Sequence, residues 1–122
     1  MRKKLPVAIQ SSLAVLALLF VALLVMVAFS RMGYPYELEW MEGGSLQNVQ
    51  RIAGGESIYV EPSIDFIPFL YTPLYYYLAA PLLWLLGDGF VALRLLSLLA
   101  TLATLLLIHQ GIRREGGSHQ SG

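Results

Sequence analysis

A long apolar run near the start limits the folds open to this chain. Its uninterrupted part, residues 13–29, carries no charge and follows Arg2, Lys3 and Lys4. About 20 apolar helical residues cross a hydrocarbon core about 30 Å thick. A cleaved signal peptide shares the basic start, but its apolar core is usually about 7 to 15 residues long and ends at a small-residue cleavage site. We therefore expect a membrane-crossing helix here.

The composition agrees with a membrane protein. Hydrophobic residues make up 57% of the chain and charged residues 13%, with a mean hydropathy of +0.63, whereas about a quarter of a soluble domain is charged. The formal net charge of +0 argues against nucleic acid as a partner, because such binders carry a basic excess. The sequence has no cysteine, which excludes disulfides, iron–sulfur clusters and thiolate zinc sites.

The hydropathy pattern predicts an all-α integral membrane protein with three transmembrane helices, at residues 5–29, 71–86 and 90–108. Thr72 and Pro73 are expected to be the N-cap and first residue of the second helix. Pro81 is expected to kink that helix, and residues 87–89 read as a tight turn. Arg94 lies one turn inside the third helix, where we expect its side chain to snorkel to the membrane surface.

Basic residues favour the cytoplasmic side of a membrane. The basic segment 1–4 therefore predicts a cytoplasmic N-terminus, which places residues 30–70 outside, the turn 87–89 inside and the tail 109–122 outside. Arg113 and Arg114 in that tail oppose the assignment.

The segment between the first two predicted spans is acidic and aromatic. Residues 42–53 place apolar side chains at helical spacing, so we expect a short amphipathic helix lying on the membrane surface and ended by Gly54 and Gly55. Residues 56–69 contain two prolines and several aromatic residues, which favours a loop at the interface over a strand. The helix and the loop would together form an external surface.

Two acids of this segment are spaced for chemistry. Glu39 and Glu42 are three residues apart and can share one face of a helical turn. Two neighbouring carboxylates near an apolar surface repel each other, so one tends to keep its proton or to act as a base near neutral pH. Acids at a helix start also stabilise its dipole without any substrate, and the spacing leaves both interpretations open. Solvation is the default explanation for the other acids, which are Glu37, Glu56, Glu61 and Asp65.

Other chemical signatures are weak. His109 and His119 are far apart, so a histidine metal site is not expected; no cofactor is evident, and the need for a divalent ion is left open. Residues 75–77 are three tyrosines, which suit an interfacial aromatic belt, although tyrosine rings also stack on sugars or isoprenoid chains.

Several motifs together carry a family resemblance. These are Glu39-Trp40-Met41-Glu42-Gly43, residues 53–59, residues 71–78 and residues 90–97. They resemble the N-terminal part of polytopic lipid-linked-sugar glycosyltransferases of the C-type superfamily, in the branch of protein mannosyltransferases and aminoarabinose transferases. The resemblance implies a bacterial-type inner (plasma) membrane location and a first external loop with an acidic catalytic residue. That residue would activate an acceptor hydroxyl or amine to attack the anomeric carbon of a polyprenyl-phosphate sugar.

The family pattern is commonly Asp-Glu followed by a small residue, and Met41 stands here in place of the aspartate. Glu42 matches the second acid, and Glu39, two residues away, would replace the first. The resemblance thus implies Glu39 as the base and Glu42 as its partner. We expect Asp65, Tyr71 and Tyr75 to bind the substrate.

Such enzymes are much longer, so the chain is expected to be an N-terminal fragment that is inactive alone. Its expected partners are a lipid-linked sugar donor, membrane lipid and the missing C-terminal remainder of the parent chain. Two alternatives remain: a small non-catalytic membrane subunit or scaffold, and a piece of a transporter. A transporter usually carries a carboxylate within its spans, and the predicted spans hold none.

Overall fold

The computed structural model describes residues 6–115, and within them the regular structure is entirely helical. The helices are α1 (Val7–Met32), α2 (Glu42–Ala53), α3 (Leu74–Leu86) and α4 (Gly89–Arg114). The predicted N-terminal segment 1–4, His119 and the tail beyond residue 115 lie outside the described residues.

The helices α1 and α4 are long and apolar enough to cross a membrane. Each has 26 residues, which corresponds to about 39 Å at 1.5 Å per residue. The prediction of an all-helical chain with apolar helices of spanning length is therefore confirmed for these two. The predicted second span, residues 71–86, is not confirmed, because the corresponding helix α3 has only 13 residues.

The ends of α3 differ in how well the sequence predicted them. Its start is wrong by one residue: Pro73, not Thr72, is the N-cap, because the Pro73 carbonyl accepts the first helical hydrogen bond, from the Tyr77 N–H at 3.1 Å. Pro81 lies within the helix. Gly87 ends it in the left-handed conformation, with φ of 70°, and its N–H donates to the Leu83 carbonyl at 2.9 Å. A tight turn is thus present where predicted, but it covers residues 87–88, because Gly89 is already the first residue of α4.

The helix α2 has the bounds that the sequence predicted, and glycines end it. Gly54 is the C-cap, and Gly55 takes a φ of 78°. The Gly55 N–H donates to the Ile52 carbonyl at 2.9 Å, and the Glu56 N–H donates to the Arg51 carbonyl at 2.8 Å. These are the two hydrogen bonds of a Schellman motif, which needs a left-handed residue after the helix.

The apolar face of α2 packs against α3, so protein rather than lipid covers it. Asn48 is also fully buried on α2. Its amide donates to the Gly44 carbonyl at 2.8 Å, while Oδ1 has no hydrogen-bond partner among the described residues. The buried core consists of Val49, Ile58, Tyr76, Ala79, Ala80 and Leu93.

The chain divides into two compact units. One contains the larger parts of α1 and α4, up to Phe29 and from Leu98 onward. The other is the Ser30–Ser97 unit, which holds α2, α3, their connecting loops, the last turn of α1 and the first turns of α4. Every candidate site residue of the sequence analysis lies in the Ser30–Ser97 unit.

Candidate functional site

Arg94, in the second turn of α4, forms the densest polar cluster of the Ser30–Ser97 unit. Its Nε donates to Glu42 Oε1 at 2.7 Å, and its Nη2 donates to Glu42 Oε2 at 2.9 Å. Parallel bonds of this kind form a bidentate ion pair, the strongest arrangement available to an arginine and a carboxylate. Fifty-two residues of sequence separate the partners.

The same guanidinium gathers backbone carbonyls from the end of α1 and the segment after it. Nη1 donates to the carbonyls of Arg31 at 3.1 Å, Met32 at 3.2 Å and Tyr34 at 2.6 Å, and Nη2 donates to that of Tyr36 at 2.8 Å. The last carbonyls of a helix lack partners within that helix. Arg94 of α4 therefore caps the C-terminus of α1, and we call this cluster, with Glu42, the Arg94 centre.

Both side chains of this ion pair are largely buried. The exposed side-chain fractions are 11% for Arg94 and 14% for Glu42. The hydrogen bond from Arg94 holds the pKa of Glu42 below its ordinary value, and this effect outweighs the opposing effect of burial. The Leu38 N–H, which donates to Glu42 Oε2 at 2.8 Å, lowers the pKa further. Glu42 is therefore ionised at neutral pH and fixed in place.

The two acids that the spacing had paired have different surroundings in the structure. Glu39 is exposed, and its carbonyl accepts from the Glu42 N–H at 3.0 Å, whereas the Glu42 carboxylate faces Arg94. Proton retention by carboxylate repulsion is wrong for Glu42, because Arg94 supplies the compensating charge. The other interpretation, in which an acid stabilises the helix dipole, holds only in part. Glu42 does lie in the first turn of α2, but its carboxylate accepts a hydrogen bond from the Leu38 N–H, which lies outside the helix.

Sequence reasoning missed the role of Arg94. The snorkelling prediction named no protein partner, whereas the guanidinium is held by a carboxylate and by backbone carbonyls. An arginine inside an apolar helix was itself the clue, because such a charge usually pairs with a named partner. Most of its acceptors are backbone carbonyls, which carry no side-chain signature.

A second arginine organises the loop after α2. Arg51 Nη1 pairs with Glu56 Oε2 at 2.9 Å, its Nε donates to the Ser57 carbonyl at 3.0 Å, and its guanidinium lies 4.4 Å from the centre of the buried Phe66 ring. Beside it is an open cavity of about 380 Å³, which we call the Arg51 pocket. Its lining residues are Gln47, Gln50, Arg51, Glu56, Ser63, Asp65 and Phe66.

Asp65 is the one predicted substrate-binding residue that lines this pocket. Tyr71 and Tyr75 are not among its lining residues. The Tyr75 hydroxyl donates to the Leu93 carbonyl at 3.0 Å and lies 3.0 Å from Ser97 Oγ, so it ties α3 to α4. The Tyr71 carbonyl accepts from the Tyr59 hydroxyl at 2.8 Å, and its side chain is largely exposed. The structure does not bring the five predicted residues into one site.

Across residues 6–115, no group of three or more acidic, histidine or cysteine side chains is placed to hold a metal ion. No family model matches this sequence, and no curated protein or solved structure matches it either. The candidate function therefore depends on the chemistry of the Arg94 centre and the Arg51 pocket.

Proposed function

We propose that this chain is the N-terminal membrane portion of a glycosyltransferase that moves a sugar from a polyprenyl-phosphate donor to an acceptor on the non-cytoplasmic side. The observation that carries the proposal is the Arg51 pocket in a chain with two helices of spanning length. The motif resemblance supports the same class of reaction.

The pocket offers the groups that recognise a sugar. Gln47 and Gln50 supply amides that donate and accept hydrogen bonds, Ser63 supplies a hydroxyl, and Asp65 supplies a carboxylate. Adjacent hydroxyls of a sugar pair well with such mixed donors and acceptors. Arg51 contributes a cation to the pocket lining, and a planar guanidinium suits a phosphate oxygen.

The roles of the acids follow from their surroundings. Glu42 is committed to Arg94, so we assign it to positioning the segment that carries Glu39. Glu39 is exposed and remains the proposed base. Asp65 is the proposed contact to a sugar or acceptor hydroxyl, because it lines the pocket while the neighbouring Glu56 is held by Arg51.

Two measurements test the proposal. The first is binding of polyprenyl-phosphate mannose and polyprenyl-phosphate aminoarabinose to the chain in lipid nanodiscs, for wild type and Asp65→Asn. Loss of a hydrogen bond to a charged group, about 1.5–3 kcal/mol, weakens binding by roughly tenfold or more. Glu61→Gln is the matched control, since Glu61 is an exposed acid of the same loop that does not line the pocket.

The second is sugar transfer by the complete reading frame with Glu39→Gln. We expect turnover to collapse while donor binding and membrane insertion stay at the wild-type level, as for loss of a general base. Full turnover in Glu39→Gln, together with unchanged binding in Asp65→Asn, would contradict the proposal.

One observation favours a second candidate, a small non-catalytic membrane subunit or scaffold. Ile64, Ile67 and Leu70 lie in the loop before α3 and are 104%, 67% and 93% exposed. Such apolar side chains suit contact with another membrane protein. A photo-crosslinker at position 64 that captures one partner chain, combined with no sugar binding, would favour the subunit over the transferase.

A further inference from the structure

We infer that the chain crosses the membrane twice, through α1 and α4, and that the whole Ser30–Ser97 unit lies at one membrane surface with the lipid interface as its partner. The first residues of α1 and the last residues of α4 then lie on the opposite side. This inference does not depend on the proposed sugar transfer.

The Arg94 centre fixes the relative level of two helix ends. Arg94 is in the second turn of α4, and its Nη1 binds the carbonyls of Arg31 and Met32 at the end of α1. The point where the chain leaves α1 and the point where it enters α4 are therefore at the same depth. A helix that starts beside the exit of the first span must cross back to the side from which the chain came.

Aromatic side chains mark that depth as a membrane interface. Tyr34 and Tyr36 directly follow α1, with ring centres 5.8 Å apart, and Trp40 beyond them is 81% exposed. Tyrosine and tryptophan are enriched where the hydrocarbon core meets the headgroups. Because the Tyr34 and Tyr36 carbonyls also bind Arg94, the start of α4 lies at the same interface.

The two ends of the helix α3 do not lie on opposite sides of a bilayer. At one end the Tyr75 hydroxyl reaches the Leu93 carbonyl and Ser97 Oγ, and at the other end Gly87 leads directly into α4. Both ends thus lie beside the first three turns of α4. Its 13 residues span about 20 Å, compared with about 30 Å of hydrocarbon.

The rest of α4 is long enough to cross. The residues from Leu95 to Arg114 form roughly 20 helical positions, or about 30 Å. No Asp, Glu, Lys or Arg lies between Arg94 and Arg113, and His109 near the far end is the titratable side chain in that stretch. The crossing therefore begins just past the Arg94 centre and ends at the basic pair Arg113 and Arg114.

The distribution of charge agrees with two crossings. Of the eight Lys and Arg residues, three precede α1 in the sequence, two end α4 and three belong to the Ser30–Ser97 unit. Of the eight acids, seven belong to the Ser30–Ser97 unit and only Glu115 lies at the other side. Three crossings would instead place Arg113 and Arg114 on the non-cytoplasmic side, against the usual bias.

Single-cysteine labelling tests the inference, and the chain has no cysteine of its own. Ser57→Cys, Asp88→Cys and Glu115→Cys place a thiol in the loop, in the α3–α4 turn and after α4, all at exposed positions. A membrane-impermeant maleimide is applied to intact cells and then to inverted vesicles. We expect Ser57→Cys and Asp88→Cys to label together on one preparation, with Glu115→Cys at background there and fully labelled on the other.

Three crossings give a different pattern, in which Ser57→Cys and Glu115→Cys label together and Asp88→Cys labels with the opposite preparation. That result would overturn the inference, as would equal labelling of all three positions on both preparations. Asp88 Oδ1 accepts from the Val91 N–H at 3.1 Å and so caps α4. Leu86→Cys, at a half-exposed position one residue before the turn, therefore repeats the measurement with this cap intact.

Discussion

The Arg94 centre and the Arg51 pocket are both built on an arginine–glutamate ion pair, but the two pairs differ in how far they are buried. Each has an arginine bound to a glutamate, and each guanidinium lies near an aromatic ring; Arg94 also binds four backbone carbonyls, whereas Arg51 binds that of Ser57. The paired side chains are 11% and 14% exposed in the first and 27% and 58% exposed in the second. Burial turns one pair into a structural joint between distant segments, while exposure leaves the other open to a ligand.

The largest expected difference between the two regions follows from removing each arginine. Arg94→Met leaves Glu42 buried without its cation, which typically costs about 3–5 kcal/mol. Arg51→Met removes an exposed pair worth about 1 kcal/mol or less and a cation–π contact worth about 0.5–1 kcal/mol. The free energy of unfolding in mixed micelles, followed by Trp40 and Trp84 fluorescence, measures both.

The double variant Arg94→Met with Glu42→Met sharpens this test. Replacing both partners of a buried pair by apolar groups is often nearly neutral. The double variant should therefore recover much of the lost stability, although the α1 carbonyls stay uncapped. Similar losses for Arg94→Met and Arg51→Met would remove the distinction between the two regions.

A close helix approach beside the Arg94 centre provides the next test. A Cβ added at Gly89 would collide with the end of the Leu46 side chain of α2, whereas a Cβ at Gly111 meets nothing within 4 Å. Overpacking costs about 1–3 kcal/mol, and the end of a leucine side chain can shift, so we expect Gly89→Ala to lower the free energy of unfolding by about 1 kcal/mol, the low end of that range. Gly111→Ala lies in the same helix and should be neutral or stabilising by up to about 1 kcal/mol. Equal effects would show that α2 and the start of α4 are not closely packed.

Acid should weaken the Arg94 centre selectively. The folded-state pKa of Glu42 is lowered from 4.5, so its contribution to stability is present above the unfolded-state value and is lost as the pH falls through the folded-state value. Unfolding measured from pH 7 to pH 3 should show a smaller acid loss in Glu42→Gln than in wild type. Glu61→Gln, which removes an exposed acid, should follow the wild-type curve; a Glu42→Gln curve parallel to wild type would contradict the assignment.

The smallest effect is expected at the Arg51 pocket itself. Glu56→Gln removes one partner of an exposed pair, which solvent screens, so the free energy of unfolding should change by less than about 0.5 kcal/mol. Unfolding in mixed micelles, followed by tryptophan fluorescence as above, detects any larger loss of stability. A loss near that of Arg94→Met would mean that the pocket is a structural joint as well.

Local patterns predicted the local structure. The bounds of α2 follow from apolar spacing and from Gly54 and Gly55, and the α3–α4 turn follows from Gly87. Apolar length identified α1 and α4, although α4 continues to Arg114, six residues beyond its predicted end at residue 108. These features depend on neighbours in sequence, so the sequence is enough to find them.

Contacts between distant segments could not be predicted in the same way. An apolar face on α2 is compatible with lipid or with another helix, and only the fold shows that α3 covers it. The link between Glu42 and Arg94 joins residues 52 positions apart, and the other acceptors of Arg94 are carbonyls that any residue supplies. The Arg51 pocket could not be predicted either, because the loop after α2 must fold back before Asp65 lines the same pocket as Gln47 and Gln50.

The position of Arg94 late in the chain also sets an order of events during biosynthesis. A ribosome that has just added Leu93 has already produced Glu42 and all four carbonyls that the guanidinium will bind. Until the next residue emerges, water or lipid headgroups must solvate them. The segment between α1 and α2 can thus reach its final conformation only after the start of α4 has been made.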